Sequence, residues 1–336
     1  MRNTWRAVGV GLVFLLAAAC GSTSNTSGSS VNTAKGERIA LLIAAQSNAG
    51  SVAVEDGVQE TAKAQGADVD VLDAGFDAQK QFSQMQDAIT TGKYKGILVQ
   101  PVDGASICSL VPQAVSAGIT VGAVNSAIGT SFTSPRSSCQ GVAVSVLRPF
   151  SEHGQVMGEL TKQACQQESV SSCAVGFLRT APGAPFDAAI YKGFEDTISG
   201  TNAKIVAEGN SMASREGGLT AIQQMLAAHP DINVLVGPEQ SLLGGLPSIK
   251  SANLNHKVLL VGIGGTTQGI AAVKDGTLYG VSFSAPRSEG KQAMQDMLKA
   301  IKTGKPQAAV DVVKNLPNGG LVDRKDVDQF KPEFDG

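Results

Sequence analysis

The chain has 336 residues, with 27 Lys plus Arg against 29 Asp plus Glu and a formal net charge of −2. No basic block offers a surface for nucleic acid, and that class of partner is excluded. The length suits two lobes of ordinary domain size rather than one.

In chain order the first signal is one of export. Arg2 and Arg6 flank an apolar run at 8–16, and Ala17, Ala18 and Ala19 lead into Cys20. A charged flank, a short apolar core and small residues at the cut make a secretory signal. The core is too short to span a bilayer as a permanent helix. A cysteine directly after the small residues resembles the lipobox of bacterial lipoproteins, where it becomes the lipidated first residue. Ala17 stands where the usual lipobox has Leu, with Leu16 one place further out. Residues 21–30 are almost entirely Gly, Ser, Thr and Asn, a flexible tether. The expectation is a signal at 1–19, a lipidated Cys20 with tether at 20–36, and a soluble domain held at the outer face of the cell membrane. Trp5, the one tryptophan, falls within the signal, so the mature chain is expected to have none.

Beyond the tether, short β-branched runs alternate with amphipathic stretches. Strands are predicted at 39–43, 69–72, 97–99, 119–124 and 142–147, with helices at 52–65, 77–90 and 107–117 between them. Gly66, Gly92 and Gly118 stop those helices. The pattern then starts afresh, with strands at 174–178, 203–207, 233–236, 258–262 and 278–283. Helices are predicted at 152–166, 185–197, 216–228, 240–251, 267–274 and 286–303, and a last strand at 309–314. Such alternation implies parallel sheets with helices on both faces, an α/β fold of two doubly wound units. Open parallel sheets bind at the carboxyl ends of their strands, and two facing sheets make a cleft that closes on a ligand.

Without Cys20 an even set remains: Cys108, Cys139, Cys165 and Cys173. In an exported protein that reads as disulfides, with three pairings possible. Chain order favours Cys108–Cys139 and Cys165–Cys173. No Cys-x-x-Cys spacing supports a metal site, and His153, His229 and His256 read as solvated or capping residues. No metal and no cofactor is expected. The phosphate-loop, nucleophile-elbow, zincin and dinucleotide motifs are absent, so the chain does not read as an enzyme. Gly262, Gly264 and Gly265 at a strand end are explained equally well by tight turns.

From about residue 38 to about 314 the chain resembles the ribose-type substrate-binding proteins of bacterial ABC importers. The carriers are Ile39-Ala40-Leu41-Leu42 with Asp56-Gly57, Gly96-Ile97-Leu98-Val99-Gln100-Pro101, and Gly118-Ile119-Thr120-Val121. Further on come Lys192-Gly193-Phe194, Leu226 with Ala228-His229-Pro230-Asp231, and Val261-Gly262. The resemblance implies a type I periplasmic binding protein, with two lobes joined by a three-crossing hinge near 147–149, 284–285 and 312–313. The N-terminal lobe would be 37–147 plus 285–312, and the other 149–283 plus 314–330. It implies a monomeric receptor that delivers a small solute to a membrane permease. A sensory receptor of the same fold, feeding a membrane kinase, is the alternative role.

The expected ligand positions depart from the family's sugar-binding pattern. Asn48-Ala49-Gly50-Ser51 replaces the two stacking aromatics after the first strand, and Asn125-Ser126 replaces Asp-Arg. The arginine before Gly193 falls near Ile190. Glu239-Gln240, Gly264 and Ser284 stand in place of an Asn-Asp pair, an aspartate and a glutamine. The expected ligand-binding set is Ser47, Asn48, Ser51, Asn125, Phe186, Asp187, Glu239, Gln240, Gly264 and Ser284. Asn125 has a planar amide that both donates and accepts; Phe186 covers a ligand face; Asp187 accepts from hydroxyls. Ser47, Asn48 and Ser51 read equally as helix caps. Arg179 reads equally as a surface ion pair, and Met212 and Phe283 as core. A neutral sugar or polyol is the expected solute. A cationic or amino-bearing solute is the alternative if Glu239 and Asp187 both face the cleft.

Overall fold

The computed structural model describes residues 36–167 and 171–335. The export signal, Cys20 and most of the tether lie outside the described residues. Among the described residues no helix is long and apolar enough to cross a membrane.

The first lobe runs β1 (Arg38–Ile43), α1 (Ala49–Gln65), β2 (Asp68–Asp73), α2 (Ala78–Thr90), β3 (Gly96–Val99), α3 (Gly104–Ser116), β4 (Thr120–Val124) and β5 (Val142–Val146). Its five strands are all parallel, in the order β2-β1-β3-β4-β5. Alternate residues of β1 enter different cores. Ala40 and Leu42 pack with Ile97, Val99, Ile107 and Val111, while Ile39, Leu41 and Ile43 pack with Val54, Val58 and Met294. A strand covered on both faces must be apolar at every position, and this is why 39–43 reads as an unbroken apolar run.

The second lobe runs α4 (Phe150–Gln167), β6 (Cys173–Arg179), α5 (Pro185–Ile198), β7 (Ala203–Asn210), α6 (Arg215–Ala228), β8 (Ile232–Pro238), α7 (Glu239–Gly244), α8 (Leu246–Ser251), β9 (Leu259–Gly264), α9 (Thr267–Asp275) and β10 (Gly280–Phe283). The chain then returns to the first lobe as α10 (Pro286–Thr303), which packs on α1 and on the β3–β5 side of the sheet. It ends its sheet pairing as β11 (Leu321–Asp323), antiparallel to β10. The second sheet has the order β11-β10-β9-β8-β6-β7, so β7-β6-β8-β9-β10 repeats the winding of the first. Together these are two parallel-dominated lobes joined by three crossings.

Two predicted elements differ. The helix expected at 240–251 breaks into α7 and α8 at Gly245, because Pro247 lacks the N–H that a continuous helix needs. The strand expected at 309–314 is a single bridge between Val146 and Val310, and the last true strand is β11. The apolar residues Val310, Val312 and Val313 pack in the crossing between the lobes rather than pairing along a sheet. Both disulfides form, Cys108–Cys139 and Cys165–Cys173, with Cα separations of 5.7 and 5.8 Å.

Helices on the outer faces approach closely through reciprocal glycines. A Cβ on Gly57 of α1 would lie 2.1 Å from the Arg287 carbonyl oxygen, and one on Gly290 of α10 would lie 2.2 Å from that of Val54. Gly154 of α4 and Gly193 of α5 do the same at 2.0 and 2.2 Å from the carbonyl oxygens of Ile190 and Ser151.

Candidate functional site

A cavity of about 350 Å³ opens between the carboxyl ends of the two sheets. Residues from both lobes and from the crossings line it. The turn from β1 into α1 supplies Ser47, Asn48, Ala49 and Gly50. Asn48 is the N-cap of α1, its Oδ1 accepting from the Ser51 N–H at 2.9 Å. Ser51 itself is 1% exposed and stands behind the wall, in the capping role.

Asn125 follows β4 with φ of 61°, a left-handed conformation that asparagine tolerates better than most residues. Its amide orientation is fixed from the backbone outward. The Ala44 N–H donates to Gln100 Oε1 at 3.1 Å, so Gln100 Nε2 donates to Asn125 Oδ1 at 2.8 Å. Asn125 Nδ2 must then donate to Glu289 Oε2, at 2.6 Å, while the Arg148 N–H donates to Glu289 Oε1 at 3.0 Å. Both Glu289 oxygens therefore accept. Burial pushes that carboxyl up to about 8.

The second lobe supplies Phe150, His153, Thr180, Phe186, Ile190, Glu239, Gln240 and Gly264. Phe150 and Phe186 pack with ring centroids 5.3 Å apart. Glu239 is 2% exposed, and its Oε1 accepts from the Thr266 N–H at 3.0 Å; burial raises its carboxyl above the usual range. A Cβ on Gly264 would sit 2.2 Å from Glu239 Oε2, so this position must be glycine for Glu239 to fit. Gln240 Nε2 donates to Thr266 Oγ1 at 3.3 Å. Ser284, at the second crossing, also lines the wall.

Asp187 does not. It is 1% exposed, accepts from the Thr180 and Ala181 N–H groups at 2.7 and 3.2 Å, and pairs with Arg179 Nε at 2.7 Å. It shapes the turn after β6, and Arg179 is spent on Asp187 and Glu208. Met212, expected in the core, is 64% exposed, whereas Phe283 is buried. His153, expected to be solvated or capping, is buried; its Nδ1 sits 2.9 Å from Ser282 Oγ, and burial holds its pKa well below the usual value.

Eight of the ten expected residues thus line one cavity: Ser47, Asn48, Asn125, Phe186, Glu239, Gln240, Gly264 and Ser284. Sequence reading missed Arg148, Phe150, Glu289 and Phe334 in the same wall. The first three lie within five residues of a predicted crossing, which was their only signal. Among the described residues no group of three or more His, Cys, Asp or Glu is placed to hold a metal.

Residues 39–306 match the periplasmic binding protein domain family. The ribose import binding protein of Bacillus subtilis (strain 168) is 27% identical over 275 residues, covering 81% of this chain and 85% of its own length. An ABC transporter solute-binding protein from Mycobacterium smegmatis, solved with bound glycerol, superposes with a TM-score of 0.72 at 24% identity, over 90% of this chain and 99% of that one. The Caulobacter myo-inositol-binding protein, bound to myo-inositol, gives a TM-score of 0.73 at 22% identity, over 88% and 95%. The two solved structures share the doubly wound, two-lobed fold described above. With a family match that spans most of the chain and both lobes, the protein belongs to the periplasmic binding protein family.

Proposed function

We propose that this protein captures a small neutral sugar or polyol between its lobes, outside the cytoplasm, and presents it to the membrane permease of an ABC importer. The observation that carries this reading is the chemistry of the accessible wall. Ser47, Asn48, Asn125, Thr180, Gln240 and Ser284 present amides and hydroxyls, which both donate and accept, beside the Phe150 and Phe186 rings. The ionisable members of the lining, Arg148, His153, Glu239 and Glu289, are 3%, 5%, 2% and 2% exposed, and each holds at least one hydrogen bond within the protein. A polyhydroxylated solute matches neutral groups of mixed donor and acceptor character. The names of the relatives, for ribose import, and the glycerol and myo-inositol in the solved structures point to the same class. The cationic alternative required Asp187 and Glu239 to face the cleft together, and Asp187 is paired with Arg179.

A melting-temperature screen of pentoses, hexoses, polyols, amino acids and amines tests the reading. A bound solute stabilises the folded state by linkage, by about 2.7 kcal/mol at a hundredfold excess over Kd. At least one neutral polyhydroxylated compound is expected to raise the melting temperature. Stabilisation by amines or amino acids alone would overturn the assignment.

The export signal and Cys20 support a lipid-anchored receptor at the outer face of the membrane. Cys20→Ala is expected to abolish incorporation of labelled fatty acid and to release the protein from the membrane fraction. An unlabelled native chain would refute the anchor.

A further inference from the structure

We infer that the segment 330–335 forms one wall of the solute cleft, with Phe334 as a ligand-contacting aromatic; this rests on the solute-binding reading above. The segment is built into both lobes. Phe330 is buried against Phe283, with ring centroids 5.2 Å apart, immediately before the crossing at Ser284. From there the backbone runs beside the start of α9. The Glu333 N–H donates to the Gly265 carbonyl at 3.1 Å, and the Thr267 N–H donates to the Phe334 carbonyl at 3.0 Å. Asp335 Oδ1 accepts from Thr267 Oγ1 at 2.7 Å. These bonds tie the segment to the second lobe.

Glu333 reaches the other way. Its carboxylate accepts from the Ser288 N–H at 2.8 Å and from Ser288 Oγ at 2.7 Å. Ser288 lies in the first turn of α10, which packs with the first lobe, and the N-cap residue Ala285 offers that helix no side-chain acceptor. A carboxylate at a helix N-terminus satisfies free N–H groups and complements the dipole. Glu333 therefore supplies from a distant segment the cap that α10 lacks, and in doing so it clamps the segment across the crossing.

The clamp holds Phe334 in the cavity wall, partly exposed and bridged through its backbone to Thr266. The turn after β1, where the family pattern has two stacking aromatics, carries Asn48, Ala49, Gly50 and Ser51 instead. Phe334 thus gives the cleft an aromatic face beside the second crossing, and an apolar ring against the C–H face of a sugar or cyclitol contributes stacking that amides do not.

The test uses the full chain with Trp5→Phe, which removes the one native tryptophan. Phe334→Trp and, as a control, Lys331→Trp are each titrated with D-ribose, D-allose, myo-inositol and glycerol. The expected result is an emission shift in the Phe334→Trp variant with at least one probe, and none in the exposed Lys331→Trp variant. Phe334→Ala is expected to weaken affinity for that probe about 2–10-fold, the equivalent of one aromatic contact. Its melting temperature without probe should equal that of the native chain. Glu333→Gln, which keeps only one acceptor for Ser288, should weaken affinity in the same direction. A probe that stabilises the native chain yet leaves the Phe334→Trp emission unmoved and the Phe334→Ala affinity unchanged overturns the role of Phe334 alone. If no probe stabilises the native chain, the solute-class reading fails and this inference fails with it.

Discussion

Arg148→Met is expected to destabilise the folded protein by about 1–3 kcal/mol, the cost of leaving the Gly319 carbonyl without its donor. Arg148 lies in the first crossing and is 3% exposed. One carboxylate close to each crossing acts on it: Glu152 beyond the first, Glu289 beyond the second and Asp311 in the third. Its Nη1 donates to the Gly319 carbonyl at 2.9 Å. Gly320 in that turn has φ of 80°, and a Cβ there would fall 2.9 Å from Nη1 and 2.2 Å from Val313 Cγ1. The turn is therefore shaped around the guanidinium. Methionine fills similar volume but removes the positive charge beside Asp311 and Glu152 where the lobes join. Glu152, whose pKa burial and Asp311 already raise, should then titrate higher still. Arg148→Lys keeps the charge but not the planar fork, and should fall between the two. Urea unfolding of the three chains measures this, and a methionine variant as stable as the native protein would sink the argument.

That hinge shows where sequence reading stops. The strands were legible because a sheet covered on both faces demands continuous apolar runs, and 39–43 and 97–99 could be little else. Edge strand β7 was read three residues short, since Glu208 and Asn210 are exposed at its end and polar residues there carry no burial signal. Gly193 was legible as part of a motif, but its reason, the Ser151 carbonyl at 2.2 Å from a would-be Cβ, belongs to the packing of α4 on α5. The site was legible to the level of strand ends, because topology alone sends polar residues there to the cleft. Which of them faces inward is decided by hydrogen bonds. Asp187 sits in the first turn of α5, a suitable place beside the cleft, yet the Thr180 N–H and Arg179 claim its oxygens. Arg148 and Glu289 are lone charges in sequence, 141 residues apart, and only the three crossings bring them together. Phe334 lay beyond the region that the resemblance covered, so nothing in its neighbourhood marked it.

The stability of the protein is expected to fall as pH rises from about 4.5 to about 8, in part through Glu289, and Glu289→Gln should remove that part. Burial sets the direction: the carboxyl is enclosed in the wall, with Asp311 and Glu333 adding like charge, and its pKa rises to about 8. In the unfolded chain the same carboxyl titrates near about 4.3. Between those values the folded state holds a proton that the unfolded state has lost. Stability then decreases with pH, is fully present below the lower value, and is lost by the upper one. Glutamine cannot titrate, so the variant lacks this component of the slope. It carries a constant penalty instead. Gln100 and the Ala44 N–H fix Asn125 as a donor, and the Arg148 N–H is a donor too, so a side chain with one acceptor and one NH₂ group leaves a donor facing a donor. The two effects separate in one experiment. Urea unfolding at pH 5, 6.5 and 8 should show the native chain more stable than Glu289→Gln at pH 5, with the gap narrowing toward pH 8. A gap that stays constant across that window would mean that Glu289 is ionised throughout, and that the hydrogen bonds from Asn125 and Arg148 outweigh its burial.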